Sequence, residues 1–161
     1  MNLYEKLEDL AYSEGIVIDR RRKLEALSGM LVMIEGCPPI VHVSPALNLP
    51  ESAGVLAEEL GHYYTSSGDN GFAANKQQVD RAEERALRAA VRDVLQLHPD
   101  RIIALIEAGV STFHELADRL EISEAFLARA RLAWIAHYGL VYKRNDYSLY
   151  FDPLSLHKQH E

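Results

Sequence analysis

The spacing of apolar positions divides the chain into helical segments and a few short strands. Residues 2–14 place apolar side chains at helical spacing, and the segment ends at Gly15, a natural terminator. Three short β-type runs follow, at 16–18, 30–34 and 40–43. A turn rich in glycine and proline separates the second run from the third. We therefore predict a small antiparallel sheet near the N-terminus.

A second helix follows this sheet. Asn48 can cap it, and Glu51 lies three residues later in capping-box register. The helix is expected to extend to about Tyr64, before a stretch of loop-forming residues at 66–71. A third helix is predicted over 75–95.

Beyond residue 97 the pattern predicts three further helices and a terminal β-hairpin. The helices cover 100–108, 112–120 and 123–138, and the hairpin strands cover 140–143 and 148–151. The tail that contains His157 and His160 is expected to fray.

The order of helix, small sheet, helices and hairpin indicates an α+β fold that is mostly helical. We divide the chain into a core domain, 1–97, and a C-terminal helical extension with the hairpin, 98–161.

Composition and charge restrict the compartment and the partners. The 161 residues include 17 basic and 24 acidic side chains, for a net charge of -7, which disfavours binding to nucleic acid. The single cysteine, Cys37, cannot form an internal disulfide, and this favours a reducing compartment. No segment reaches the roughly 20 apolar residues of a membrane span, and the N-terminus does not resemble a signal peptide. We expect a cytoplasmic protein.

The second helix carries the main candidate for chemistry. Glu58, Glu59 and His62 occupy the frame of the metallopeptidase motif H-E-x-x-H, with Glu58 in place of the first histidine. Side chains four positions apart lie on one helix face, so Glu58 and His62 can converge on one ion. Glu59 is rotated by about 100° from Glu58, and it can accept a proton from an activated water. An ordinary solvated helix face is the alternative.

The third helix offers a further ligand. Its apolar stripe consists of Val79, Ala82, Ala86, Ala89, Ala90 and Val94. Glu83 lies inside this stripe, where a carboxylate is costly unless it is paired or bound to a metal. We therefore predict Glu83 as the third ligand. Asp93 near the stripe is a rival, and a salt bridge from Glu83 to Arg85, to Arg88 or to an arginine elsewhere is the structural alternative.

These residues resemble a known family. The segment 56–65 resembles the motif segment of the ImmA/IrrE metallopeptidases, especially their short phage and mobile-element branch. Glu83, Ala86 and Ala90 are similar to the family pattern E-x-x-A-x-x-[aromatic]-A, although Ala89 replaces the aromatic residue. Further similarity lies in residues 1–7, 112–117 and 150–154.

The resemblance implies a zincin-like active-site helix with His62 and Glu83 as zinc ligands and Glu59 as general base. It also implies a substrate, a helix-turn-helix transcriptional repressor whose cleavage relieves repression. With Glu58 the donor set is one imidazole and two carboxylates, a harder set than usual, so Mn²⁺ can compete with Zn²⁺. Alternatively, Glu58 lies outside the ligand shell and leaves two protein ligands.

Two other functions are weighed against the peptidase. The first is a non-catalytic module of the same fold that binds a repressor with weak or no metal. The second is a DNA-binding regulator, suggested by the helix-turn-helix rhythm of 113–127 and disfavoured by the acidic start of its second helix at Glu124. His42 lies near the motif helix in sequence and could serve the site, but a surface or sheet-packing role is favoured for it.

Overall fold

The computed structural model describes residues 1–66 and 75–159, and the chain divides into two compact units, Met1–Gln96 and Leu97–Glu161. Within the described residues the fold is α+β, with six helices and two three-stranded sheets, which confirms the predicted class. Of the loop predicted at 66–71, the part from 67 onward lies outside the described residues.

The elements have the following bounds. The helices are α1 (Leu3–Ser13), α2 (Leu49–Thr65), α3 (Lys76–Ala89, continued by a π-helical turn, Ala90–Val94), α4 (Pro99–Glu107), α5 (Phe113–Leu120) and α6 (Glu124–Tyr138). The strands are β1 (Val17–Asp19), β2 (Gly29–Val32), β3 (Ile40–Val43), β4 (Val141–Arg144), β5 (Tyr147–Phe151) and β6 (Leu154–Lys158).

The N-terminal sheet is mixed, so the prediction of an antiparallel sheet is wrong. Its strand order is β1-β3-β2, with β2 antiparallel and β1 parallel to β3. Residues 20–28 carry the chain from one sheet edge to the other and do not form a hairpin. Strand β3 lies at the centre of this sheet. Its Val41 and Val43 are fully buried, since neighbouring strands cover a central strand along both edges.

Helix α2 packs on this sheet through an apolar inner face. Leu56 and Leu60 are fully buried, in the same core as the two β3 valines. Gly29 in β2 permits the close packing, since a Cβ atom there would overlap the side chain of Val55. Tyr64 is 43% exposed, because it lies in the last turn of the helix.

Helices α2 and α3 approach each other at Gly61. A Cβ atom at this position would overlap the backbone carbonyl of Ala86 and lie 3.2 Å from the backbone nitrogen of Ala90. Glycine and alanine therefore set the separation of the two helices. The predicted continuous helix over 75–95 ends as a π-helical turn that begins at Ala90.

Replacing Gly61 with alanine is expected to destabilise the protein by about 1–3 kcal/mol, because backbone atoms of α3 must move to admit the methyl group. A glycine-to-alanine change in a helix interior otherwise stabilises by about 1 kcal/mol, so the two effects have opposite signs. Urea unfolding followed by circular dichroism measures the difference. A stability equal to or above that of the wild type would contradict the close contact.

The second unit ends in a three-stranded antiparallel sheet of order β4-β5-β6, so the predicted hairpin is incomplete. The third strand contains His157, in a segment expected to fray, while His160 lies outside the described residues. Leu154 and Leu156 alternate with polar residues, a period-2 signal short enough to be overlooked. Pairing with β5 orders this segment.

A polar network holds the start of α4 against β4. The hydroxyl of Tyr142 donates to Asp100 Oδ1 at 2.7 Å, and Arg144 Nη1 lies 3.2 Å from Asp100 Oδ2. The indole N–H of Trp134 donates to the carbonyl of Leu97 at 3.0 Å. These hydrogen bonds give partners to polar groups at the start of the second unit.

Among the described residues, no helix is long and apolar enough to cross a bilayer.

Candidate active site

Local sequence places the motif on α2. The side chain of Asn48 accepts from the N–H of Glu51, and the Glu51 carboxylate accepts from the N–H of Asn48, which confirms the predicted capping box. The inner face of the helix is buried through Ala53, Leu56, Ala57 and Leu60. Glu58 and Glu59 are half-buried beside that face. Helical periodicity thus brings the motif side chains to the border of the core.

The structure brings His62 and Glu83 together across the two helices. His62 Nε2 lies 3.2 Å from Glu83 Oε2, and the side chains are 23% and 54% exposed, respectively. The close approach at Gly61 makes this contact possible. Two donors bound to one tetrahedral ion at about 2.0–2.1 Å are separated by about 3.3 Å. The spacing therefore fits two ligands of one ion as well as a direct hydrogen bond.

The expected burial of Glu83 is wrong. Its carboxylate is 54% exposed, and Val79 of the predicted stripe is 45% exposed. Only Ala86, Ala89 and Ala90 of the stripe are buried, because α2 and α3 approach most closely there. Glu83 lies one turn earlier, at the rim of the contact. Its proximity to His62, and not a burial penalty, is what makes it a candidate ligand.

The side chain of Glu59 lies against the N-terminal sheet, where burial alters the pKa of its carboxyl group. Its side chain packs next to Gly29 of β2, and its carboxylate accepts a hydrogen bond from the N–H of Leu31. Burial raises the pKa of Glu59 to about 7, against a lowering by the nearby His62 and with further raising by the charges of Glu58 and Glu83. The charges of the other three predicted site residues therefore lie near enough to Glu59 to influence its pKa.

The raised pKa of Glu59 predicts a pH-dependent stability in metal-free protein. The folded state holds this proton up to about pH 7, whereas an unfolded glutamate loses it near pH 4.5, so stability falls as pH rises between these values. Glu59→Gln removes the titration, so we expect the variant to gain about 3 kcal/mol relative to wild type between pH 4.5 and 7.5. Urea unfolding in EDTA at several pH values measures this gain. A constant difference between the two proteins would contradict the environment described for Glu59.

The donor chemistry fits a divalent cation, although the full predicted ligand set is not assembled. Imidazole nitrogen and carboxylate oxygen are ligands of zinc and manganese, and a cation would offset the repulsion among the clustered carboxylates. In the ranges 1–66 and 75–159, however, no three His, Cys, Asp or Glu side chains are grouped closely enough to hold a metal ion. The pair His62 and Glu83 is in place, and a ligand role for Glu58 stays a prediction.

The other candidates have different partners. His42 is buried and lies 3.0 Å from Asp19 on the neighbouring strand, which makes it the expected sheet-packing histidine. Asp93 pairs with the adjacent Arg92 at 2.9 Å. The sequence motif did not indicate Gly29 and Leu31, which lie beside Glu59. A glycine at the start of a strand pattern is a signal of close approach that could have indicated the first of them.

Comparison of this chain with family models, with curated proteins and with solved structures gives no match. The resemblance to the ImmA/IrrE metallopeptidases therefore depends on the quoted motifs alone.

Proposed function

We propose that this protein is a metal-dependent endopeptidase of the ImmA/IrrE type that cleaves a helix-turn-helix repressor. The observation that carries the proposal is the contact between His62 Nε2 and Glu83 Oε2 at 3.2 Å, with Glu59 in the same cluster. Two donors from separate helices and an adjacent carboxylate supply two of the three protein ligands usual in a catalytic zinc site, together with a candidate general base.

Each residue has a distinct role in this proposal. His62 and Glu83 would hold the cation, and Glu58 is the proposed third ligand. A bound divalent cation would polarise the peptide carbonyl and lower the pKa of water. Glu59 takes the proton from the attacking water and delivers it to the leaving amine, as a general base and then a general acid. The hydrogen bond from Leu31 keeps its carboxylate beside the sheet.

The sheet supplies a place for the substrate chain. Strand β2 is at the edge of the N-terminal sheet, and it contributes the residues next to Glu59. An extended peptide can add to such an edge through main-chain hydrogen bonds, and at Leu31 it would compete with Glu59 for the backbone N–H. A repressor segment bound in this way would pass beside the cluster, which supports an endopeptidase over an enzyme that trims chain ends.

A non-catalytic repressor-binding module is the second candidate. It is favoured by one observation, that the described residues group two metal donors and not three. With weak or absent metal, the same surface would sequester the repressor by contact alone. The two functions differ in whether a peptide bond is broken.

The test is a cleavage assay with purified components. The protein, supplied with Zn²⁺ or Mn²⁺, is incubated with helix-turn-helix repressors encoded near its gene, and the products are identified by mass spectrometry. Discrete fragments that disappear in EDTA and return with added metal support the peptidase. A stable complex without fragments, at any metal supply, overturns it in favour of the binding module.

A further inference from the structure

The second unit contains an open groove remote in sequence from the motif helix. Its volume is about 650 Å³, within the range of roughly 300–1,000 Å³ typical of ligand sites. Its apolar lining includes Ile106, Val110, Phe113 and Leu116. Among the described residues that line it, Arg131 carries the only charge. The groove thus combines an apolar floor with one cationic group.

One side of the groove is the edge of a β-strand. Residues 153–156 all line it, although consecutive strand residues point to opposite faces. Because the groove is lined by all four consecutive residues, it follows the main chain of the segment 153–156. These residues lead into and form the first part of β6, the outer strand of the β4-β5-β6 sheet.

The hydrogen-bond pattern shows which main-chain groups face outward. The N–H of Gln159 donates to the carbonyl of Asp146 at 2.8 Å, next to the registered pair Tyr147 and Lys158. Hydrogen-bonded and non-hydrogen-bonded pairs alternate in an antiparallel ladder. Counting back along β6, the main-chain groups of Leu154 and Leu156 point away from β5, toward the outer edge of the strand.

The guanidinium of Arg131 is held in position and keeps donors for a ligand. Its side chain is 25% exposed, and its Cζ atom lies over the ring of Phe113, 5.1 Å from the centroid. Nη1 lies 3.8 Å from Asp152 Oδ1, which is beyond hydrogen-bond distance. A carboxylate in the groove can therefore form the charge-assisted hydrogen bonds that this ion pair leaves unformed.

We propose that this groove binds an extended peptide segment of a partner protein. The segment pairs with the outer edge of β6, places an apolar side chain on the groove floor and sets an acidic side chain against Arg131. Main chain along the groove favours a peptide, and the lone cation among apolar side chains selects an acidic one. The proposal is independent of the proposed peptidase function.

The probe is an array of acetylated and amidated hexapeptides built from valine, leucine and threonine. One aspartate is placed at each position in turn, and matched sets carry asparagine or lysine. Binding to the full chain is measured by fluorescence anisotropy for wild type, Arg131→Gln and a control, Arg101→Gln, at an exposed position of α4. The tightest peptide is then resynthesised with single N-methylated amides, and the protein's oligomeric state is measured by sedimentation.

Three results are expected together. Aspartate at one or two positions binds at least about tenfold more tightly than asparagine, and Arg131→Gln, but not Arg101→Gln, removes this preference. N-methylation weakens binding at alternate amides only, as strand pairing requires. The protein is not dimerised through this edge.

Other outcomes overturn the proposal. A preference for aspartate that persists in Arg131→Gln places the peptide elsewhere, and equal weakening by every N-methyl group excludes strand pairing. If none of the peptides binds, the groove does not bind an extended peptide of this kind. A dimer that Leu156→Lys separates shows that a second copy of the chain occupies this edge. Because N-methylation alters only the probe, this arm holds even if Arg131→Gln fails to fold.

Discussion

Replacing Glu59 with glutamine is expected to reduce repressor cleavage by about 10²–10⁴-fold while the metal content stays unchanged. Glutamine keeps the shape of the side chain, so packing beside Gly29 is preserved, but its amide cannot accept the proton of the attacking water. The rate of fragment formation by mass spectrometry, at saturating repressor, measures the change. Metal content is measured by elemental analysis on the same samples.

The matched control for this variant is Glu84→Gln. Glu84 is exposed on α3 and pairs with Arg88 four residues later, so the same charge is removed outside the cluster. We expect wild-type cleavage from this protein. Wild-type cleavage by Glu59→Gln as well would remove Glu59 from the proposed mechanism, whatever the fate of the metal.

Alanine at His62 or Glu83 is expected to lower the affinity for Zn²⁺ by about 10²-fold or more, and cleavage is expected to be lost with it. Each substitution removes one of the two donors that lie 3.2 Å apart. Wild-type protein is expected to contain about one equivalent of metal, and each variant much less. Elemental analysis and competition with a chromogenic chelator measure content and affinity.

Because the Glu83 side chain is partly exposed, a loss of zinc affinity in Glu83→Ala can be assigned to the lost ligand and not to unfolding. The Glu83 side chain is 54% exposed, so its removal leaves no large cavity, and thermal unfolding of metal-free protein should be close to that of wild type. Glu84→Ala is the control and is expected to retain metal. Unchanged zinc affinity in Glu83→Ala would show that the contact with His62 is a structural hydrogen bond only. The same variant of Glu58 tests whether a third ligand comes from α2.

These two experiments separate the proposed functions. A peptidase retains metal and loses cleavage in Glu59→Gln, and it loses both in His62→Ala. A repressor-binding module binds the repressor and cleaves it in none of these proteins, wild type included. Repressor affinity, measured alongside cleavage, distinguishes the two.

Elements whose signals are local could be predicted from the amino-acid sequence. The cap formed by Asn48 and Glu51 involves residues three positions apart, so it is readable before any tertiary contact is known. The same holds for the separation of the last three helices. The helical period also placed Glu58 and His62 on one face of α2, with Glu59 rotated by about 100° from Glu58.

The tertiary structure alone decided strand order, burial of the site residues and the third C-terminal strand. Strand β1 pairs parallel to β3 because the chain crosses the sheet through 20–28, and no local pattern specifies which edge it reaches. Glu83 is exposed and Glu59 is desolvated because the contacts at Gly61 and Gly29 set where the helices and the sheet meet. Such contacts join segments far apart in sequence, and their free energies depend on partners that local periodicity does not contain.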